Sequence, residues 1–218
     1  MNCKQPLKSH KMRYLILSII VFVGFLASCE KDNSAKNTDG QLDTLLVIGD
    51  ARTNVKLYNT LIYPSQRCDS VLYHMDIDSD SVNDFDFYIY YCYSPCTYMS
   101  DMRIDCLTEK CKILCNDTLQ TPAILELGDT LRSSGNWISQ RIHMLSTSNT
   151  SEFCGGDEVT HFTGNWHDLT NKYIGFMVEK DDNMLLGWIE ISINKSYKNY
   201  PIELHEIAYK RVAYNKRS

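Results

Sequence analysis

The sequence predicts an all-β fold, an antiparallel β-sandwich of jelly-roll-like type, and three observations predict it. Apolar and polar residues alternate with period two in several short runs after residue 44. Fourteen tyrosines and seven phenylalanines suit pleated, half-buried surfaces. No segment after the N-terminal one carries the 3.6-residue apolar period of a helix. The 218 residues, 44% of them hydrophobic, suffice for one medium domain with a sizeable core and exclude a disordered chain. Ten glycines and five prolines exclude collagen-like and low-complexity classes. A net charge of −5 offers no concentrated basic face, so nucleic acid is not an expected partner.

The N-terminal segment, residues 1–28, reads as a cleaved signal peptide. Lys4, Lys8, Lys11 and Arg13 form a positive start with no acidic residue among them. Leu15 to Leu26 is an apolar run of 12 residues, short of the roughly 20 that span a bilayer. A second start at Met12 would still give a complete signal. The run ends in Leu26-Ala27-Ser28-Cys29, which resembles the lipobox of bacterial lipoproteins. The resemblance implies cleavage before Cys29, lipid (palmitate) on that cysteine, and the membrane as a partner through the anchor. Glu30-Lys31-Asp32 resembles the acidic export signal of Bacteroidota surface lipoproteins, which implies an outer-membrane, surface-exposed location. Residues 29–43 then form the lipidated cysteine and a polar tether without apolar periodicity. Cleavage removes four cations and leaves 18 against 27 acidic residues, a mature charge of −9.

Residues 44–218 are read as one β-sandwich domain with a cysteine-rich segment at 92–115. Val71, Tyr73, Met75 and Ile77 alternate with Leu72, His74, Asp76 and Asp78, and Phe85, Phe87 and Ile89 alternate with Asp84, Asp86, Tyr88 and Tyr90. Tyr173 to Glu179 and the strand around Trp188 are expected to pair through a turn at Asp181-Asp182-Asn183. Ile202 to Tyr209 makes a closing strand.

These strands carry a second resemblance. Gly128-Asp129-Thr130, Trp137, Trp166, Lys172-Tyr173-Ile174-Gly175-Phe176, Gly187-Trp188-Ile189 and Ile207-Ala208-Tyr209 occur in the order seen in uncharacterised secreted proteins with a β-rich domain. An acidic "DxDxDGxxDF" segment often precedes them there, and Asp76 to Phe85 is similar to it, with Ser81 where glycine is usual. The resemblance implies fold and secretion and no defined activity.

Asp76, Asp78, Asp80 and Asp84 are the strongest chemical constellation. On an extended segment the first three would project to one face, roughly 7 Å apart from one to the next, and repel. A curled loop would converge their oxygens into a structural Ca²⁺ site, since Ca²⁺ takes about six to eight oxygen ligands. Ser81 and Phe87 stand where an EF-hand has Gly and Glu, so this is no EF-hand. The bland alternative is an acidic turn bonded to its own backbone.

With Cys3 and Cys29 assigned to the signal and the lipid, seven cysteines remain, five of them within 92–115. Gaps of three, nine, four and three residues do not suit zinc, and export favours disulfides. Cys92 and Cys96 bracket a turn, and Cys106 and Cys111 bracket four residues across which they could face each other. These four are the disulfide candidates, with connectivity open.

No G-x-S-x-G, H-E-x-x-H or Walker loop is present. Cys154 beside Gly155-Gly156, and His161 with His167, are better read as structural. Trp137, Trp166 and Trp188 are read as core rather than a sugar platform. Asp-(Ser/Thr)-apolar triplets at Ser70, Ser81, Thr118, Thr130 and Thr44 resemble the O-glycosylation motif of Bacteroidota envelope proteins, and turn-then-strand chemistry gives the same triplet. The expectation is a non-catalytic surface module binding a glycan or a partner protein. The rivals are a glycan-directed extracellular hydrolase and a structural subunit of a surface assembly.

Overall fold

Thirteen strands, and no helix among the described residues, make up the chain in the computed structural model. The structure describes residues 45–50, 53–150, 159–180, 183–194 and 200–213, all within one compact unit. The strands are β1 (Leu45–Val47), β2 (Asn54–Ile62), β3 (Asp69–Met75), β4 (Phe85–Tyr93), β5 (Thr97–Cys106), β6 (Cys111–Leu114), β7 (Thr130–Arg132), β8 (Trp137–Ile138), β9 (Arg141–Thr150), β10 (Val159–Gly164), β11 (Leu169–Lys180), β12 (Asn183–Ile193) and β13 (Ile202–Ala213).

They form an antiparallel sandwich. One sheet has five strands in the order β10-β9-β5-β4-β3, and the other has six in the order β2-β13-β12-β11-β6-β8. Two meanders supply most of it, β3-β4-β5 in the first sheet and β11-β12-β13 in the second. The period-two pattern explains the inward faces. Phe85, Phe87 and Ile89 of β4 point into the core, opposite Cys106, Ile104 and Met102 of β5. They meet Ile174, Phe176 and Val178 of β11 and Ile189 and Ile191 of β12 from the other sheet. Phe85 and Phe176 pack edge to face across the layers, with ring centroids 5.8 Å apart. Lys180 pairs with Asn183, closing the β11–β12 hairpin around residues 181–182.

A second, smaller core lies on the outer face of the six-stranded sheet. There the β1–β7 ribbon lays Leu46, Ile48 and Leu131 over Tyr173, Met177, Leu186, Trp188 and Ala208. The tryptophans therefore form no common platform. Trp166 is fully buried in the main core and donates from Nε1 to the Pro122 carbonyl at 2.7 Å. Trp188 is buried in the second core, and Trp137 is half-buried at its margin.

Of the four disulfide candidates, Cys92 and Cys96 are disulfide-bonded and Cys106 and Cys111 are not. Cys68 bonds Cys92. The β3–β4 register explains this, because Asp69 faces Tyr91 and one further step sets Cys68 opposite Cys92. Cys96 is also disulfide-bonded. Cys106 and Cys111 are free thiols, as is Cys115, which corrects the bridge expected across residues 107–110. That segment is no hairpin: β5 ends at Cys106 in the five-stranded sheet, and β6 begins at Cys111 in the other.

Candidate functional site

The acidic segment forms the β3–β4 connection at one end of the sandwich. The Asp84 amide donates to the Met75 carbonyl at 2.8 Å and closes the hairpin. Within it the Asp76 carboxylate accepts three backbone amides, from Ser79 (2.7 Å), Asp80 (3.2 Å) and Ser81 (2.8 Å). Such side-chain capping is what Asp does in tight loops. Ser79 and Ser81 take φ of +62° and +69°, so serine fills the left-handed position where glycine is usual. Asp84 is buried and accepts the Ile77 amide at 2.9 Å.

The curl brings three carboxylates together. Asp76, Asp78 and Asp84 each offer an oxygen within 4.8 Å of the others. Asp80 stands outside this group: its Oδ1 accepts the Val82 amide and its Oδ2 accepts Lys180. Lys180, at the end of β11, reaches in from the other sheet. Its Nζ lies 2.9 Å from Asp80, 3.3 Å from Asp78 and 3.7 Å from Asp84. Burial works against the Lys180 ammonium, but the Asp80 hydrogen bond and the Asp84 and Asp78 charges outweigh it and hold the amine above its ordinary pKa. Burial raises the Asp84 carboxyl, although the Ile77 amide and Lys180 pull the other way. The Lys180 bond and the Val82 amide lower Asp80. A cleft beside the loop is lined by Asp80, Asp84, Thr108, Lys110, Cys111 and Lys180.

A different surface is formed by the outer face of the five-stranded sheet. The register aligns His74, Asp86, Asp105 and Arg141 in one row, and Leu72, Tyr88, Arg103 and His143 in the next. Tyr90 and Asp101 follow. The Arg103 guanidinium sits 3.8 Å above the Tyr88 ring and 3.3 Å from Asp105 Oδ2. Arg141 reaches Asp105 Oδ1 at 3.1 Å, His143 reaches Asp101 at 3.4 Å, and His74 reaches Asp86 at 2.7 Å. The side chains are thus held in fixed orientations by one another, on a face that no described strand covers.

Sequence reading missed this surface, because its rows join residues from four strands. It also missed a bulge line across the six-stranded sheet. Ser192 Oγ accepts the Asn171 amide at 2.9 Å and lies 2.8 Å from His205 Nε2. Asn171 has φ of +50°, and the strand registers shift beside Asn171 and His205. The serine and histidine tie two bulges together. His161 is exposed, and the His167 ring lies against Phe162 with centroids 5.1 Å apart. Ser70, Ser81, Thr118 and Thr130 of the Asp-(Ser/Thr) triplets are all exposed. Cys29, Thr44 and Cys154 lie outside the described residues. Comparison with protein-family models, curated proteins and solved structures finds no match to this chain.

Proposed function

We propose that the protein is a lipid-anchored envelope lipoprotein of the outer membrane, surface-exposed, whose β-sandwich is a non-catalytic module that binds a glycan through the outer face of the five-stranded sheet. The observation that carries the ligand reading is the ordered Tyr88–Arg103–Asp105–Arg141 network with His143 and His74 beside it. Fixed Asp, Arg and His side chains present hydrogen-bond donors and acceptors to sugar hydroxyls without a further ordering cost. The tyrosines supply apolar ring area among them. The anchor rests on the Leu26-Ala27-Ser28-Cys29 sequence.

The test is binding of the purified full-length protein in detergent to a panel of immobilised neutral and anionic bacterial polysaccharides. Tyr88→Ala, with folding checked by circular dichroism, should lose at least tenfold in affinity for whatever polysaccharide the wild type retains. Binding that survives Tyr88→Ala and Arg103→Ala together rules out this face, and a wild type that retains no glycan rules out the ligand class. The anchor stands apart: Cys29→Ser should release the protein from the membrane fraction.

One further observation favours a second reading, a structural subunit of a surface assembly. β2 is an edge strand that exposes Val55, Leu57 and Leu61, with Leu57 76% exposed. An apolar edge with unpaired backbone groups invites strand addition from another chain.

A further inference from the structure

The carboxylate group on the β3–β4 loop leaves one buried oxygen without a partner. Asp78 is nine-tenths buried, its side chain 9% exposed, and its Oδ1 has no hydrogen-bond partner. A buried carboxylate oxygen without a donor is costly, and such atoms in folded proteins are met by a donor, a water or a cation. The backbone amides of Ile77, Ser79, Asp80, Ser81 and Val82 already bond Asp84, Asp76 and Asp80. Lys180 Nζ lies 3.3 Å from Asp78, on Oδ2, and is shared with Asp80 and Asp84. Asp78, Asp80 and Asp84 therefore share the Lys180 ammonium, while the other lysine on the loop, Lys56, donates to the Ile77 carbonyl and to Ser79 Oγ at 2.7 Å.

We infer that Asp76, Asp78 and Asp84 form a Ca²⁺ site for which Lys180 is the built-in competitor. Oxygens within 4.8 Å of one another match a single ion with Ca–O bonds of about 2.3–2.6 Å, since ligands on opposite sides of it are then roughly twice that distance apart. All-oxygen, carboxylate-rich ligation suits a hard cation and not a thiophilic one. When the ion enters, the Lys180 ammonium leaves Asp78 and Asp84 and keeps Asp80, which contributes no oxygen to the group. The ion would then join the β3–β4 loop to itself, and Lys180 would join it to β11 in the ion's absence. Affinity is set by the difference between the two cations. The site is independent of the glycan-binding face.

Calcium titration of EDTA-treated full-length protein, by calorimetry and by thermal melting, tests the site. Wild type should take up one Ca²⁺ per chain and gain melting temperature with the logarithm of calcium concentration. Lys180→Met should bind Ca²⁺ at least tenfold more tightly, and Asp78→Asn at least tenfold more weakly. Both variants should melt cooperatively in EDTA. No heat and no melting shift for wild type and Lys180→Met at 10 mM Ca²⁺ overturns the site. Binding by Lys180→Met that is no tighter than wild type overturns the competition. The Lys180→Met arm keeps the test open should Asp78→Asn fail to fold.

Discussion

Glu190 of β12 stands directly opposite Glu206 of β13, two like charges paired across adjacent strands of the six-stranded sheet. Trp188 Nε1 reaches Glu206 at 3.4 Å. Burial raises the Glu190 carboxyl above its ordinary range, and the Glu206 charge adds to it, against the pull of His205 and a hydrogen bond from Tyr173. Cross-strand like charges are ordinarily destabilising, so this pair is held by the strands rather than holding them.

The consequence for stability follows from the sign of the shift. The folded-state pKa of Glu190 lies above its unfolded value, so the native chain takes up the proton first as pH falls. Ionised Glu190 costs stability at neutral pH. That cost is relieved as pH falls through the folded pKa and is gone below the unfolded one. Glu190→Gln should therefore stabilise the protein at pH 7 by about 0.2–1 kcal/mol, the scale of a cross-strand charge pair. The gain should shrink toward zero near pH 4. Urea denaturation of both proteins at pH 7 and pH 4 checks it, and an equal gain at both pH values would show that charge is not the cause.

Gly187 has a separate role in the same strand. A Cβ built there would lie 2.3 Å from the Ala208 carbonyl oxygen, 2.6 Å from the Phe176 ring and 2.7 Å from the Tyr209 Cβ. Backbone on one side and packed aromatics on the other leave no room, because interiors are close-packed. At Gly175 the nearest atom is the tip of the Leu131 side chain at 2.6 Å, which a rotation can move. Gly187→Ala should cost about 1–3 kcal/mol as overpacking, and Gly175→Ala less. Equal melting temperatures for the two variants would contradict the difference.

The strands were legible because period-two alternation is local: Phe85, Phe87 and Ile89 declare their inward face within five residues. The same local chemistry exposed the acidic loop. What decides the loop's electrostatics is Lys180, a hundred residues further along the chain. No spacing rule links the two, because the contact is made by sheet packing. The disulfides divide in the same way. A turn was legible between Cys92 and Cys96, and Ser94 and Thr97 do bond across it. The partner of Cys92 is set instead by the β3–β4 register. Cys106 and Cys111, with four residues between them, are separated by a passage from one sheet to the other that looks in sequence like any short turn.

That passage makes a prediction about thiol chemistry. Cys111 and Cys115 are buried and Cys106 is half-buried. Burial pushes the Cys106 and Cys115 thiols up to about 12. Cys106 gains further from the neighbouring Cys111, while Thr108 hydrogen-bonds Cys111 at 3.2 Å. The thiolate is the reactive form, and at pH 8 a thiol with so high a pKa holds roughly one thiolate in ten thousand. An aromatic disulfide reagent at pH 8 should leave all three thiols of the native protein unlabelled and react with them once the chain is unfolded. Peptide mapping should recover Cys68 joined to Cys92, with Cys96 in a second bridge. Of the cysteines outside the described residues, Cys154 is the one outside the expected signal and lipid positions, and it is the expected partner. Replacing Cys68 and Cys92 together by alanine opens a loop with a sequence separation of 24, which in the chain-entropy account costs about 3 kcal/mol. Rapid labelling of native Cys106 would contradict the buried, protonated thiol. A Cys106–Cys111 bridge in the map would contradict the two free thiols.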